Sequence, residues 1–136
     1  MMAHTKSSSI FLVCALFIGC SNFVSCGFAY EKRITGKYYI IGVDTRDEHG
    51  LSYNLGGGSF IGRAPGQLIE YGFNDTFLVA KTIADWNARA EYYIIDMSKD
   101  SEYAQEKDYR VGPFSESDYN SQWSRRLNLK FVKVQP

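Results

Sequence analysis

TFLVAKTIADWNARAEYYIIDM, residues 76–97, decides how the rest of the chain is read. Residues 76–82 and 90–97 are short runs dense in aromatic and β-branched side chains, separated by the polar connection Asp85-Trp86-Asn87, which predicts two strands rather than a helix. Just upstream, residues 67–71 and 76–82 flank Gly72-Phe73-Asn74-Asp75, whose last two residues are turn formers, so this segment reads as a β-hairpin. Further back, residues 37–44 (KYYIIGVD) have the same composition and predict a central strand. Two shorter extended segments, 51–55 and 59–63, flank Gly56-Gly57-Gly58, where freedom at positive φ suits a tight turn. No Lys-Ser or Lys-Thr follows that triplet, so it is not read as a phosphate cradle. The tetrapeptide YYII occurs at Tyr38 and at Tyr92, but the flanks do not align as a duplication.

Downstream the periodicity changes. Residues 98–107 carry mixed charges, with Asp96, Asp100, Glu102, Glu106 and Asp108 interleaved with Lys99 and Lys107, and predict an exposed loop. Ser115 then reads as a helix N-cap, with Asp118 in the capping-box position and Phe114 and Tyr119 as a hydrophobic staple. Tyr119, Trp123 and Leu127 recur every fourth residue as one apolar stripe, leaving Glu116, Gln122 and Arg126 to solvent. Asn128 is the expected helix stop, and residues 129–134 close the chain as a strand. The expected fold class is α+β, mainly antiparallel β-sheet with one helix in the C-terminal half packed on it.

At 136 residues, with 45% hydrophobic and 22% charged side chains, the chain fits a targeting segment over 1–29 and one folded domain over 30–136. Fifteen Lys and Arg offset fifteen Asp and Glu. Only Lys6 precedes Glu31, so the domain carries one net negative charge, which argues against nucleic acid as a partner.

Residues 1–9 are polar with a single cation at Lys6, and residues 10–19 (IFLVCALFIG) are unbroken apolar sequence, the layout of a secretory signal. The run falls short of the roughly 20 residues that a permanent spanning helix needs. Phe17-Ile18-Gly19-Cys20 resembles the lipobox of bacterial lipoproteins, in which the cysteine thiol is lipidated, although Phe17 stands where leucine is preferred. Phe23-Val24-Ser25-Cys26 has the same form but is set off from the apolar run by Ser21 and Asn22. Cys20 is therefore the expected attachment point and Cys26 the alternative, with Glu31-Lys32-Arg33 as a short tether. Against Cys20, cleavage there leaves Cys26 as an odd thiol in an oxidising compartment. The expected address is the cell envelope, lipid-anchored to a membrane and facing the periplasm or the cell surface. Gly27-Phe28-Ala29 is also a small-x-small peptidase site, and cleavage after Ala29 gives the alternative of a soluble secreted protein.

The domain holds little that assembles chemistry. His49 is its one histidine and it has no cysteine, so neither a nucleophilic triad nor a zinc site with about four Cys or His ligands is expected. Asp44, Asp47, Glu48 and His49 are the one constellation able to gather a hard cation or share a proton. They lack EF-hand spacing and sit between two strands, so a solvated turn is expected. No catalytic residue, metal or cofactor is predicted.

From Glu70 onward the order of features resembles a family of small, functionally uncharacterised bacterial lipoproteins. It carries a lipobox, then a phrase like Phe77-Leu78-Val79-Ala80-Lys81, then Tyr92-Tyr93-Ile94-Ile95-Asp96, then Gly112-Pro113 with an acidic helix start. Asp85-Trp86-Asn87 and the Gly56 triplet have no counterpart in it. The resemblance implies an envelope address and brings no catalytic residues. Together with the aromatic content, it leads to the expectation of a membrane-anchored, non-enzymatic protein-binding module. The partner is expected to be an envelope or toxin protein, bound in the manner of an inhibitor or immunity factor. Tyr53, Trp86, Tyr103 and Tyr109 are the candidate interaction surface. The alternatives are an envelope hydrolase using a carboxylate pair or a metal near His49, and a structural or small-ligand-sensing envelope protein.

Overall fold

The computed structural model describes residues 28–43 and 48–135. Residues 1–27 of the expected targeting segment, with Cys20 and Cys26, and residues 44–47, with Asp44 and Asp47, lie outside them. Tyr30–Thr35 (β1), Tyr38–Gly42 (β2), Gly50–Gly56 (β3) and Ser59–Gly62 (β4) form an antiparallel sheet in chain order. Gln67–Phe73 (β5), Phe77–Ile83 (β6), Glu91–Asp96 (β7), Arg110–Phe114 (β8) and Val132–Lys133 (β9) form a second, in the order β8-β7-β6-β5-β9. Glu106–Tyr109 is a single helical turn (α1), and residues 116–127 form the one longer helix among the described residues (α2), 12 residues in length. The molecule is α+β and mainly antiparallel sheet, as the residue pattern predicts. Among the described residues, no helix is long and apolar enough to cross a membrane.

Tyr38, Ile40, Leu51 and Tyr53 of the first sheet share one buried cluster with Leu68, Tyr71, Leu78, Ala80 and Ile95 of the second. On the opposite face of the second sheet, Val79, Tyr92 and Ile94 pack with Tyr119, backed by Trp123, Leu127 and Phe131. The second sheet is therefore the middle of three layers. That position explains its sequence, because residues 78–80 and 92–95 are buried on both faces and read as continuous apolar runs rather than alternating ones.

The predicted hairpin forms as β5 and β6, paired from Gln67↔Ile83 to Phe73↔Leu78. Gly56, Gly57 and Gly58 all take positive φ, of 89°, 62° and 81°, at the β3–β4 turn. The predicted cap is also present, with Ser115 Oγ accepting from the Asp118 amide at 3.1 Å. The staple partners diverge: Tyr119 stacks on Tyr92 with ring centroids 4.5 Å apart, while Phe114 meets Trp123 at 5.9 Å. Helix α2 is also not uniform, since Asn120–Ser124 winds as a π-helix before Arg125–Leu127 returns to α. Asn128 ends it in the left-handed region at φ 46°.

Three expectations need correcting. Glu31-Lys32-Arg33 is not a tether but part of the edge strand β1, paired with Ile41, Ile40 and Tyr39. Exposed charges along an edge discourage pairing with other chains, and they also hide the strand from a hydrophobic reading. Residues 98–107 are not simply a solvated loop, because the Asp100 side chain is wholly buried against Arg63. Of the predicted strand over 129–134, the ladder covers just Val132–Lys133, opposite Tyr71 and Glu70, with the Val134 amide donating to the Ile69 carbonyl beyond it.

Candidate functional site

At one end of the sandwich the chain is drawn tight around His49. The His49 carbonyl accepts from the Leu68 amide at 2.6 Å, tying the residue before β3 to the start of β5. Gly66, at φ +82°, makes the intervening turn, and a Cβ there would lie 2.7 Å from the Ile83 carbonyl oxygen. No other residue fits without displacing the end of β6. The His49 side chain is 2% exposed, and the Tyr30 ring lies 4.3 Å from it, centroid to centroid. Its Nε2 is buried without a hydrogen-bond partner among the described residues.

Across from His49, the β6–β7 connection turns outward. The Asp85 carboxylate accepts from the Asn87 amide at 2.8 Å, and its carbonyl accepts from the Ala88 amide at 3.0 Å. This local turn presents Trp86 to solvent at 84% exposure. Between the two lies a cleft of about 470 Å³, with Glu48, His49, Gln67, Asp85 and Trp86 in its lining. Its described lining has two carboxylates and no Lys or Arg.

The four aromatic residues proposed from sequence do not form one surface. Trp86 stands at the rim of the cleft. Tyr103 is 88% exposed but follows the last residue of β7, whereas Trp86 precedes its first, so the length of the strand separates them. Tyr53 and Tyr109 are buried, a correction with a clear cause. The Arg63 guanidinium lies between them, 4.7 Å from the Tyr53 ring and 4.6 Å from the Tyr109 ring. Arg63 Nε pairs with Asp100 Oδ2 at 2.8 Å, and its Nη2 donates to the Ser101 carbonyl at 3.0 Å. The Tyr38 hydroxyl donates to the same Asp100 oxygen at 2.7 Å. Burial first, then the bond to Asp100 and its charge, hold the Tyr38 phenol well above its ordinary pKa. Sequence reading missed this pair, which has no local signature.

Of the Asp44, Asp47, Glu48 and His49 constellation, only Glu48 and His49 are described, and both line the cleft. Among the described residues, no group of three or more His, Cys, Asp or Glu is placed to hold a metal ion. In comparisons with known proteins, no family model, curated protein or solved structure matches the chain.

Proposed function

We propose that this chain is an exported, lipid-anchored protein of the bacterial cell envelope that binds another protein without acting on it catalytically. Trp86 is the anchor of the contact. The observation that carries this reading is an indole held in solvent by its own turn, over a cleft, in a molecule whose other tryptophan is carried on helix α2 and packs toward the sheet. Tryptophan is enriched among the few interface residues that carry most of the binding energy, because a large rigid surface is gained at small entropic cost. Glu48 and Asp85 beside the indole favour a basic side chain from the partner, which both carboxylates and the ring face attract. The partner class is an envelope or toxin protein, with Cys20 as the lipid attachment.

Site-specific photo-crosslinking in the native host tests the contact. A photoreactive residue at position 86 is expected to capture one recurring protein, with capture reduced in a Glu48→Gln/Asp85→Asn background and absent from position 103. Equal capture at both positions, or none at 86, would overturn the reading. The address is tested by intact mass: a lipid-sized increment on the membrane-fraction protein that Cys20→Ala abolishes supports the anchor, and an unmodified soluble chain starting at Tyr30 rejects it.

A further inference from the structure

A second cleft, of about 330 Å³, opens on the far side of the middle sheet, where helix α2 leaves the β7–β8 edge uncovered. Phe77 and Ile94 supply an apolar wall, and Trp123 and Arg126 reach it from the helix. The π-helical turn that carries Trp123 is a local departure from α geometry of the kind that often accompanies binding sites. The Trp123 ring packs against Phe114, yet its Nε1 is buried without an acceptor among the described residues. Leaving such a donor unmet in a closed site costs about 1–3 kcal/mol.

The charge around that donor is positive. Lys99, Lys107, Arg110 and Arg126 line the cleft against two carboxylates, Asp96 and Asp108. Asp96 is already engaged: its Oδ1 accepts from the Ser98 amide and hydroxyl, and Lys99 lies 3.7 Å from its Oδ2. Arg110 is likewise committed, pairing with Glu106 and donating to the Arg63 carbonyl at 2.9 Å. Lys107 and Arg126 have no carboxylate within ion-pair distance among the described residues. The Arg126 guanidinium rests 4.8 Å from the centroid of the Trp123 ring.

We propose that this cleft binds a small organic anion, a carboxylate carried on an apolar body. The carboxylate is neutralised by Arg126 and Lys107, while the body lies along Phe77 and Ile94. The cleft volume is at the lower end of the range for small-molecule sites, which suits a short ligand rather than a polymer. The proposal does not rest on the Trp86 contact, which lies in a different cleft.

The test uses the full chain in detergent, with hexanoate as the probe and hexylamine and inorganic phosphate as comparisons. The two indole N–H signals are followed by NMR and assigned with Trp86→Phe. Hexanoate is expected to shift the Trp123 signal saturably, and hexylamine to leave it unmoved. Arg126→Gln and Lys107→Gln are each expected to weaken binding by about tenfold or more, as loss of a hydrogen bond to a charged group does. Arg126 is exposed, so its variant keeps the fold, which circular dichroism verifies. A saturable shift of Trp86 alone, no saturable shift, or an equal response to hexylamine overturns the proposal. Phosphate binding as tightly as hexanoate overturns the apolar body and leaves an oxyanion site.

Discussion

Arg63 and Asp100 join parts of the chain that no strand pairing connects. Arg63 lies between β4 and β5, Asp100 follows β7, and the Arg63 carbonyl also takes a hydrogen bond from Arg110 at the start of β8. Desolvating both charges consumes much of their mutual attraction, so the pair fixes the geometry of the junction more than it adds to stability. Removing one partner is a different matter, because the other is left buried and uncompensated. Arg63→Met is expected to lower unfolding free energy by about 3–5 kcal/mol. Adding Asp100→Leu and Tyr38→Phe in the same chain should recover most of that loss, since the charges and the hydroxyl facing them are then all gone. Urea denaturation of the single and triple variants measures this. A single variant within about 1 kcal/mol of wild type would show that the pair does not hold in solution.

Helix α2 is attached at its start by a cap and along its length by aromatic packing. Tyr119 stacks on Tyr92, and Phe131 meets both rings edge-on, at 5.9 Å and 6.3 Å. Lys81 completes the seam, pairing with Glu70 at 3.0 Å and reaching toward Glu116 at 3.9 Å. Ser115→Ala removes the acceptor for the Asp118 amide and should cost about 1 kcal/mol, whereas Ser115→Asp should keep nearly full stability. Equal losses in the two variants would mean that the capping bond is not what the serine contributes. This cap was legible in the sequence because it is local, its donor and acceptor lying three residues apart. Strands β6 and β7 were legible because burial on both faces removes polar residues from them. Strand β1 was not, since its exposed charges follow solvent rather than the core. Nor was β8, where Gly112 and Pro113 are both poor strand formers although the segment pairs along the β7 edge. The Arg63–Asp100 pair lies furthest from any pattern, its members 37 positions apart. Of the candidate surface, Trp86 was legible because Asp85 and Asn87 build its turn locally. Tyr53 and Tyr109 were not, because what buries them is a distant arginine.

Across the molecule, tyrosine is the residue that ties all three layers to pH. Tyr38 lies in the core between the sheets, Tyr92 and Tyr119 in the seam under the helix, and Tyr93 and Tyr109 beside Arg110 and Arg63. All five are at least 95% buried, and burial is the foremost cause that raises each phenol above its ordinary value. Lys81 is raised too: burial alone pulls it down, but its bonds to Glu70 and Tyr92 outweigh that. The sign is the same for all six groups. Below the unfolded values of about 10, both states hold their protons and stability does not depend on these groups. Above them the unfolded chain gives up protons that the folded chain still keeps, so stability falls until the folded groups titrate in turn. Each such group steepens the fall by up to about 1.4 kcal/mol per pH unit. Unfolding free energy from urea titration should therefore be level between about pH 8 and 9.5 and drop steeply by about pH 11. Tyrosinate absorbance should rise together with unfolding rather than before it. Tyr119→Phe should flatten the drop, because it removes one buried phenol from the seam without removing its ring. If tyrosinate instead forms while the circular dichroism of the folded protein persists, solvent reaches these phenols in the native state, and the three-layer packing around them is looser than the contacts require.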